Sequence, residues 1–457
     1  MRQHIPQMSR SSRDHAKKKN HPLIEDETIA QQIEDLLTPA VTAQQAYYRK
    51  LGLRERILNL PLMVAAVLTL LWRGVAGVSE LTRMLVREGF LWCEPVKVSQ
   101  SALSQRFLTF PAELFEGVFK ELLPRLKQAW QKREKRPLPE SVQYSLKVFE
   151  QLWIVDSSIL EKLFQKLKSL ETAPKGKLAG KMGVVLDLVT RLPVEIWFQE
   201  NARAHDSKLE ENILNLVSAK TLLLIDRGFY HFQFWKQLID KQVDFITRPK
   251  KGASYEVQKS FTNSFSLRDR LVRMGYGTEK SPYVLIRLVE IRTKKTWKSY
   301  LTSVRDPEIL PPYVVADLYR RRWRIEDAFN TVKRLLDLSY LWTGSLNGIK
   351  LQIWGTWLFY AILVDLGDAV ADELCLPFER ISLEMIYRGL YHFTVARSKG
   401  LATEPVAYFA ASENQDLGIV KRLRKPKVKL IVAPFPETMR GSPTFFFNAS
   451  LTKGFSP

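Results

Sequence analysis

Two short stretches each run through four apolar residues onto an aspartate: LWIV before Asp156 and LLLI before Asp226. A strand apolar at every position, rather than at every second one, is covered on both faces. Such strands need helices on either side of their sheet, which directs the chain to an α/β architecture. Each aspartate then falls at the carboxyl end of a central strand, where the sites of open α/β sheets gather. A buried carboxylate is costly unless paired, hydrogen-bonded or bound to metal. Read singly, Asp156 could instead cap a turn with Ser157 and Ser158, and Asp226 could begin one with Arg227 and Gly228. Asp187 in VVLDLVT is a competitor, but it lies mid-strand with no turn residues after it.

The neighbouring segments supply the rest of a sheet. Residues 148–158 read as one strand and 181–201 as two, reversing at Arg191–Pro193. An amphipathic helix over 207–219, a strand over 221–226, a helix over 231–242 and a strand over 243–250 follow. This order is that of a ribonuclease-H-like mixed sheet with helices. From 251 to 306 helical periodicity vanishes and strand composition takes over, with a reversal at Thr293–Lys295. The expected organisation is therefore a basic tail (1–24), a helical DNA-binding domain (25–140) and the first part of the core (141–250). A basic β insertion (251–306), the second part of the core (307–395) and a basic carboxyl-terminal tail (396–457) complete it. Within the helical domain, VSQSALSQRF (98–107) could be the second helix of a helix-turn-helix.

The chain carries 69 Lys+Arg against 48 Asp+Glu, a net charge of +21 over 457 residues. The excess is concentrated in residues 1–24 (net +5), 246–298 (net +9) and 417–457 (net +7). Basic segments on a neutral body point to a polyanion, nucleic acid before membrane. Cys93 and Cys375 form no CxxC pair, and the six histidines show no HExxH spacing, so a zinc site is not expected. Any metal would be held by oxygen. No apolar stretch reads as a membrane span, and the basic amino terminus lacks the apolar core of a secretory signal. A cytoplasmic, nucleoid-associated protein is expected.

The segment VVADLYRRRWRIEDAFNTVKRLL reads as a helix with two unlike sides. Leu318, Ile325, Phe329, Val332 and Leu336 form its core stripe, with Trp323 also expected inside. Tyr319, Arg322, Glu326 and Lys333 stand at i, i+3, i+7 and i+14, which places them on one face. A tyrosine, an arginine, a carboxylate and a lysine do not make a core stripe.

At these residues the chain resembles the DDE transposases of bacterial insertion sequences that carry a Y-x2-R-x3-E-x6-K signature. Tyr319, Arg322, Glu326 and Lys333 match it without gap, and DRGFY at Asp226–Tyr230 and Asp156 after LWIV look like the first two acidic blocks. The resemblance spans Val148–Phe393. It implies a transposase that binds terminal inverted repeats and target DNA as double strands, cleaves at element ends and joins strands through a 3′-OH. It further implies a homodimer on paired ends and no membrane. Some members of this group stack a flipped base on an aromatic residue of the insertion, which marks Trp297; a sheet-packing role is the alternative. Arg227, within the second acidic block, is a further candidate DNA contact.

The chemistry requires the same residue types. Phosphodiester hydrolysis needs an activated water and a stabilised leaving oxygen, which two divalent ions can supply. Hard Mg²⁺, with Mn²⁺ as a substitute, prefers carboxylate oxygens. Asp156, Asp226 and Glu326 are the candidate catalytic residues and ligands, with Asp156 bridging. Tyr319, Arg322 and Lys333 would bind phosphates beside the scissile bond. The rival readings are a metal-dependent nuclease without strand transfer and a DNA-binding derivative that has lost catalysis.

Overall fold

In the computed structural model, which describes residues 26–75, 77–160, 180–293, 296–338 and 345–422, the two apolar runs become neighbouring parallel strands. The strands are β1 (Gln151–Ile159), β2 (Lys181–Asp187), β3 (Pro193–Gln199), β4 (Thr221–Ile225) and β5 (Asp244–Thr247). β6 (Glu256–Asn263), β7 (Leu267–Met274), β8 (Val284–Thr293) and β9 (Thr296–Thr302) follow. Among the described residues all nine join one sheet in the order β3-β2-β1-β4-β5-β9-β8-β7-β6. β1, β4 and β5 run parallel, and β2 and β3 return antiparallel on one side. This is the mixed ribonuclease-H-like sheet that the order of segments predicts.

The β insertion differs from expectation in one respect. β9 pairs antiparallel with β5, through Ile246 with Thr302 and Thr247 with Leu301. The insertion therefore extends the core sheet rather than standing as a separate unit. Arg287 fastens the junction from inside. It is fully buried, donates from Nε to Asp269 Oδ1 at 2.7 Å, and reaches the carbonyls of Val304, Asp306 and Leu310.

The helices before the sheet are α1 (Glu27–Ala43), α2 (Gln45–Lys50), α3 (Leu60–Trp72), α4 (Val78–Arg87), α5 (Gln100–Thr109), α6 (Ala112–Gln131) and α7 (Glu140–Ser145). α8 (Glu210–Leu216) and α9 (Phe232–Asp240) connect strands, and α10 (Pro312–Arg321) and α11 (Arg324–Asn330) cover the strand ends. α12 (Leu346–Glu373), α13 (Leu383–Ser398) and α14 (Pro405–Ala410) follow. α12 is long and apolar enough to cross a bilayer, yet most of it is buried within the protein. It packs against α3, α5 and α6, so the amino-terminal helices share one core with the sheet. Gly355 permits that closeness, since a Cβ there would collide with Val67 on α3.

Two expectations about the flanks change. Residues 88–99 separate α4 from α5, too long for the tight turn of a helix-turn-helix. Arg106, on α5, turns inward to the Leu58 carbonyl, the Tyr48 hydroxyl and the Phe110 ring rather than outward to a groove. Residues 396–422, expected within a basic tail, hold the end of α13, all of α14 and a 3₁₀ turn at Ser412–Leu417. The basic tail at 1–24 and the segment from 423 onward lie outside the described residues.

Candidate active site

Strand parity brings the first two aspartates together. Side chains alternate across a strand, so Leu152 and Ile154 face one core while Trp153 and Val155 face the other. On β4, Leu222 and Leu224 share the side of Ile154, and Leu223 and Ile225 that of Val155. Ile154 is in register with Leu224, and Val155 with Ile225. One residue further along, Asp156 and Asp226 stand side by side on the face covered by α10, α11 and α12, but only Asp226 ends its strand as expected, since β1 continues to Ile159 through its pairing with β2. Asp156 still pairs within the sheet, opposite Val184, while Asp226 leads into a 3₁₀ turn at Arg227–Phe229.

A guanidinium joins the two carboxylates. Arg322 Nη1 donates to Asp156 Oδ2 at 2.5 Å, and Nη2 lies 3.4 Å from Asp226 Oδ1. Arg322 is 7% exposed, and its Nε–H is buried without a hydrogen-bond acceptor. Burial acts to lower its pKa, but the charges of Asp156 and Asp226 outweigh that and raise it. Asp156 is pushed up to about 6, first by burial and then by the charges of Asp226 and Glu326, against the pull of Arg322 and the Ser157 amide. Glu326, on α11, is near enough for its charge to act on Asp156.

The helix departs from the ideal geometry that its sequence suggests. It breaks at Arg322–Trp323, where Arg322, Trp323, Ile325 and Glu326 amides bond three residues back, and it widens to a π segment over Thr331–Leu335. Such irregularities recur at functional sites. They leave Tyr319 buried against Tyr300, its pKa raised to about 12 mainly by burial. Lys333 reaches the end of β1, donating to Ser158 Oγ at 2.8 Å and to the Ile159 carbonyl at 2.9 Å. Trp323, expected in the core, is instead 63% exposed, because the helix break turns its ring outward beside Arg322.

Arg227 is exposed beside Asp226. Trp297 lies apart on β9, half-buried at the hairpin end opposite Arg292, with the Arg268 guanidinium 4.4 Å from its ring centre. Asp187, expected mid-strand with no turn after it, instead ends β2 and spends its carboxylate on the Val189 and Thr190 amides, both at 2.8 Å, so it serves a turn. Two residues went unnoticed in the sequence: Asp206 and Lys181, whose side chains meet beneath Ser157.

An all-oxygen donor set of Asp156, Asp226 and Glu326 suits a hard divalent ion. Among the described residues, no three of His, Cys, Asp and Glu are drawn together closely enough to hold an ion. The cation that joins Asp156 to Asp226 is Arg322. The donor chemistry fits a metal, provided that Arg322 yields its place.

Residues 148–362 match the family described as the transposase DDE domain. A putative transposase of Sinorhizobium fredii, y4zB, is 26% identical over 209 residues, covering 42% of this chain and 57% of that protein. The Escherichia coli transposase InsG for insertion sequence element IS4 is 26% identical over 174 residues, 35% of this chain and 37% of its own. A probable transposase for element IS5377 of Geobacillus stearothermophilus is 23% identical over 217 residues, 45% and 55% of the two chains. The chain thus aligns with roughly half the length of these relatives, or less. Across the sheet and the helices that cover it, residues 148–362 are thus a transposase DDE domain, similar to those of insertion-sequence transposases.

Proposed function

We propose that the protein is a DNA transposase that cleaves at the ends of its element and transfers the freed strand through its 3′-OH. The observation that carries this reading is the juxtaposition of Asp156 and Asp226 along adjacent parallel strands, with Glu326 near enough for its charge to act on Asp156. Asp156, Asp226 and Glu326 would hold two Mg²⁺ ions, for which Mn²⁺ can substitute. When bound, such ions supply an activated water and stabilise the leaving 3′ oxygen.

The remaining roles belong to the chain's own groups. Arg322 neutralises the two aspartates while no ion is bound, then turns to a phosphate beside the scissile bond. Lys333, held at the end of β1, offers a second positive charge there, and the Tyr319 hydroxyl orients the phosphate of the cut strand. Arg227 contacts the backbone from the turn after Asp226. Trp297 offers a stacking surface for a base near the cleaved end. The amino-terminal helices and the basic insertion bind the terminal inverted repeats, two copies of the chain hold paired ends, and target DNA enters the same groove. Work on the bacterial nucleoid, in the cytoplasm, follows from such a substrate.

The test uses purified protein and labelled duplex carrying the element's flanking inverted repeat, with Mg²⁺ or with EDTA, plus an unlabelled target plasmid. Ion-dependent nicking at the repeat boundary and label joined to the plasmid are expected. Nicking without joined product would instead identify a nuclease. Binding without nicking would identify a protein that has lost catalysis.

A further inference from the structure

Asp206 lies on the opposite face of the sheet from the proposed catalytic carboxylates. It opens a 3₁₀ turn over Asp206–Leu209, and Leu209 belongs to the core on the Val155 side. Ser157 and Lys181 share that side by strand parity, since Ser157 is in register with Gly183 and Ile159 with Lys181. Asp206 Oδ1 accepts from Ser157 Oγ at 2.6 Å and from Lys181 Nζ at 2.5 Å. Lys181 is 7% exposed, and its Nζ also donates to the Ala204 carbonyl at 2.8 Å. The other oxygen, Oδ2, fills the space above Gly228, where any Cβ would collide with it.

These contacts touch both acidic blocks at once. Ser157 follows Asp156, and its amide donates to Asp156 Oδ1 at 2.8 Å. Gly228 lies two residues after Asp226, inside the turn that Asp226 begins. Asp206 is therefore wedged between the end of β1 and the turn after β4. Its charge is met by Lys181 and faces away from Asp156. It is placed to brace the catalytic carboxylates, not to join them.

We infer that Asp206, charge-balanced by Lys181, is a positioning residue that fixes the separation of Asp156 and Asp226 by bonding Ser157 and packing on Gly228. The inference rests on the transposase reading for its effect on catalysis, and on geometry alone for the brace. Partners behind metal ligands typically alter ion affinity or activity by roughly 10–100-fold.

The experiment compares wild type with Asp206→Ala, Asp206→Asn, Gly228→Ala and the Asp206→Ala/Gly228→Ala pair. It measures nicking rate, the Mg²⁺ needed for half-maximal nicking, end-DNA affinity, and hydrogen exchange of residues 156–158 and 226–230. Asp206→Ala is expected to slow nicking about tenfold or more and to raise the Mg²⁺ requirement, with DNA affinity unchanged. Asp206→Asn keeps an acceptor for Ser157 and should recover part of the rate. Gly228→Ala alone should match the loss, while in the Asp206→Ala background it should add nothing, because the obstructing oxygen is gone. Wild-type rate and ion requirement in Asp206→Ala, or losses that multiply in the pair, would overturn the brace. If wild type itself fails to nick, the transposase reading fails and exchange decides separately. Faster exchange in both segments of Asp206→Ala keeps the brace, and unchanged exchange rejects it. Should Asp206→Ala not fold, Asp206→Asn and Ser157→Ala carry the same comparison.

Discussion

Arg322 holds Asp156 at 2.5 Å through one guanidinium nitrogen and reaches Asp226 at 3.4 Å through the other. A cation thus already stands between two carboxylates proposed to hold metal. Without it, two acidic groups on adjacent strands would repel, and the buried Asp156 would lack a counter-charge. The arginine makes the ion-free site stable, and a divalent ion would have to compete with it.

Removing Arg322 should therefore cost stability chiefly when ions are absent. Arg322→Ala leaves Asp156 buried without its partner, a loss on the order of 3 kcal/mol. Thermal melting in EDTA is expected to show a lower midpoint than wild type. Added Mg²⁺ should raise the midpoint of the variant more than that of wild type, since the ion replaces the missing charge. Equal shifts in both proteins would separate Arg322 from the ion site.

Asp156 gives the ion-free protein a pH dependence of definite sign. Its pKa is about 6 against an ordinary 3.8, first because it is buried. Between those values the folded state binds more protons than the unfolded, so stability falls as pH rises through the window. The contribution is full below the ordinary aspartate value and is lost by the time pH passes about 6. Urea unfolding in EDTA, from about pH 4 to about pH 7, should show this slope in wild type and a flatter one in Asp156→Asn.

The placement of Asp156 beside Asp226 was legible in the sequence because strand parity is a local property. LWIV and LLLI place Asp156 and Asp226 at equivalent positions before any coordinates exist. The Arg322–Asp156 contact was not legible, since 166 residues separate the partners. Trp323 was misjudged because uniform helical spacing puts it near the core stripe, whereas the helix breaks beside it. Asp206 was overlooked because HDSK reads as an ordinary helix start, and its partners Ser157 and Gly228 lie on other strands' ends. The amino-terminal helices looked like a separate unit because the helix that joins them to the sheet, α12, comes much later in the chain.

Trp323 should matter little to the fold. At 63% exposed it contributes little packing, so Trp323→Ala should change unfolding free energy by no more than about 0.5 kcal/mol. Trp297, the proposed stacking surface, should behave in the opposite way, with Trp297→Ala weakening binding of pre-cleaved end DNA by about 1–3 kcal/mol. Chemical denaturation and fluorescence anisotropy measure the two effects independently.

Arg287 tests whether the β insertion is truly part of the core sheet. Arg287→Met removes the partner of the buried Asp269 carboxylate and the donor to three carbonyls. A loss of about 3–5 kcal/mol is expected. Because β9 pairs with β5, unfolding should remain one transition with a lowered midpoint. A separate early transition confined to residues 251–306 would mark the insertion as independent.

The most direct test of the account is Glu326→Gln assayed for both binding and cleavage of end DNA. The substitution keeps size and hydrogen-bonding capacity while removing one ligand charge from the site. Gel-shift affinity for the terminal repeat should match wild type, and Mg²⁺-dependent nicking should disappear. A Glu326→Gln protein that nicks at the wild-type rate would contradict the assignment of Asp156, Asp226 and Glu326 as the catalytic carboxylates.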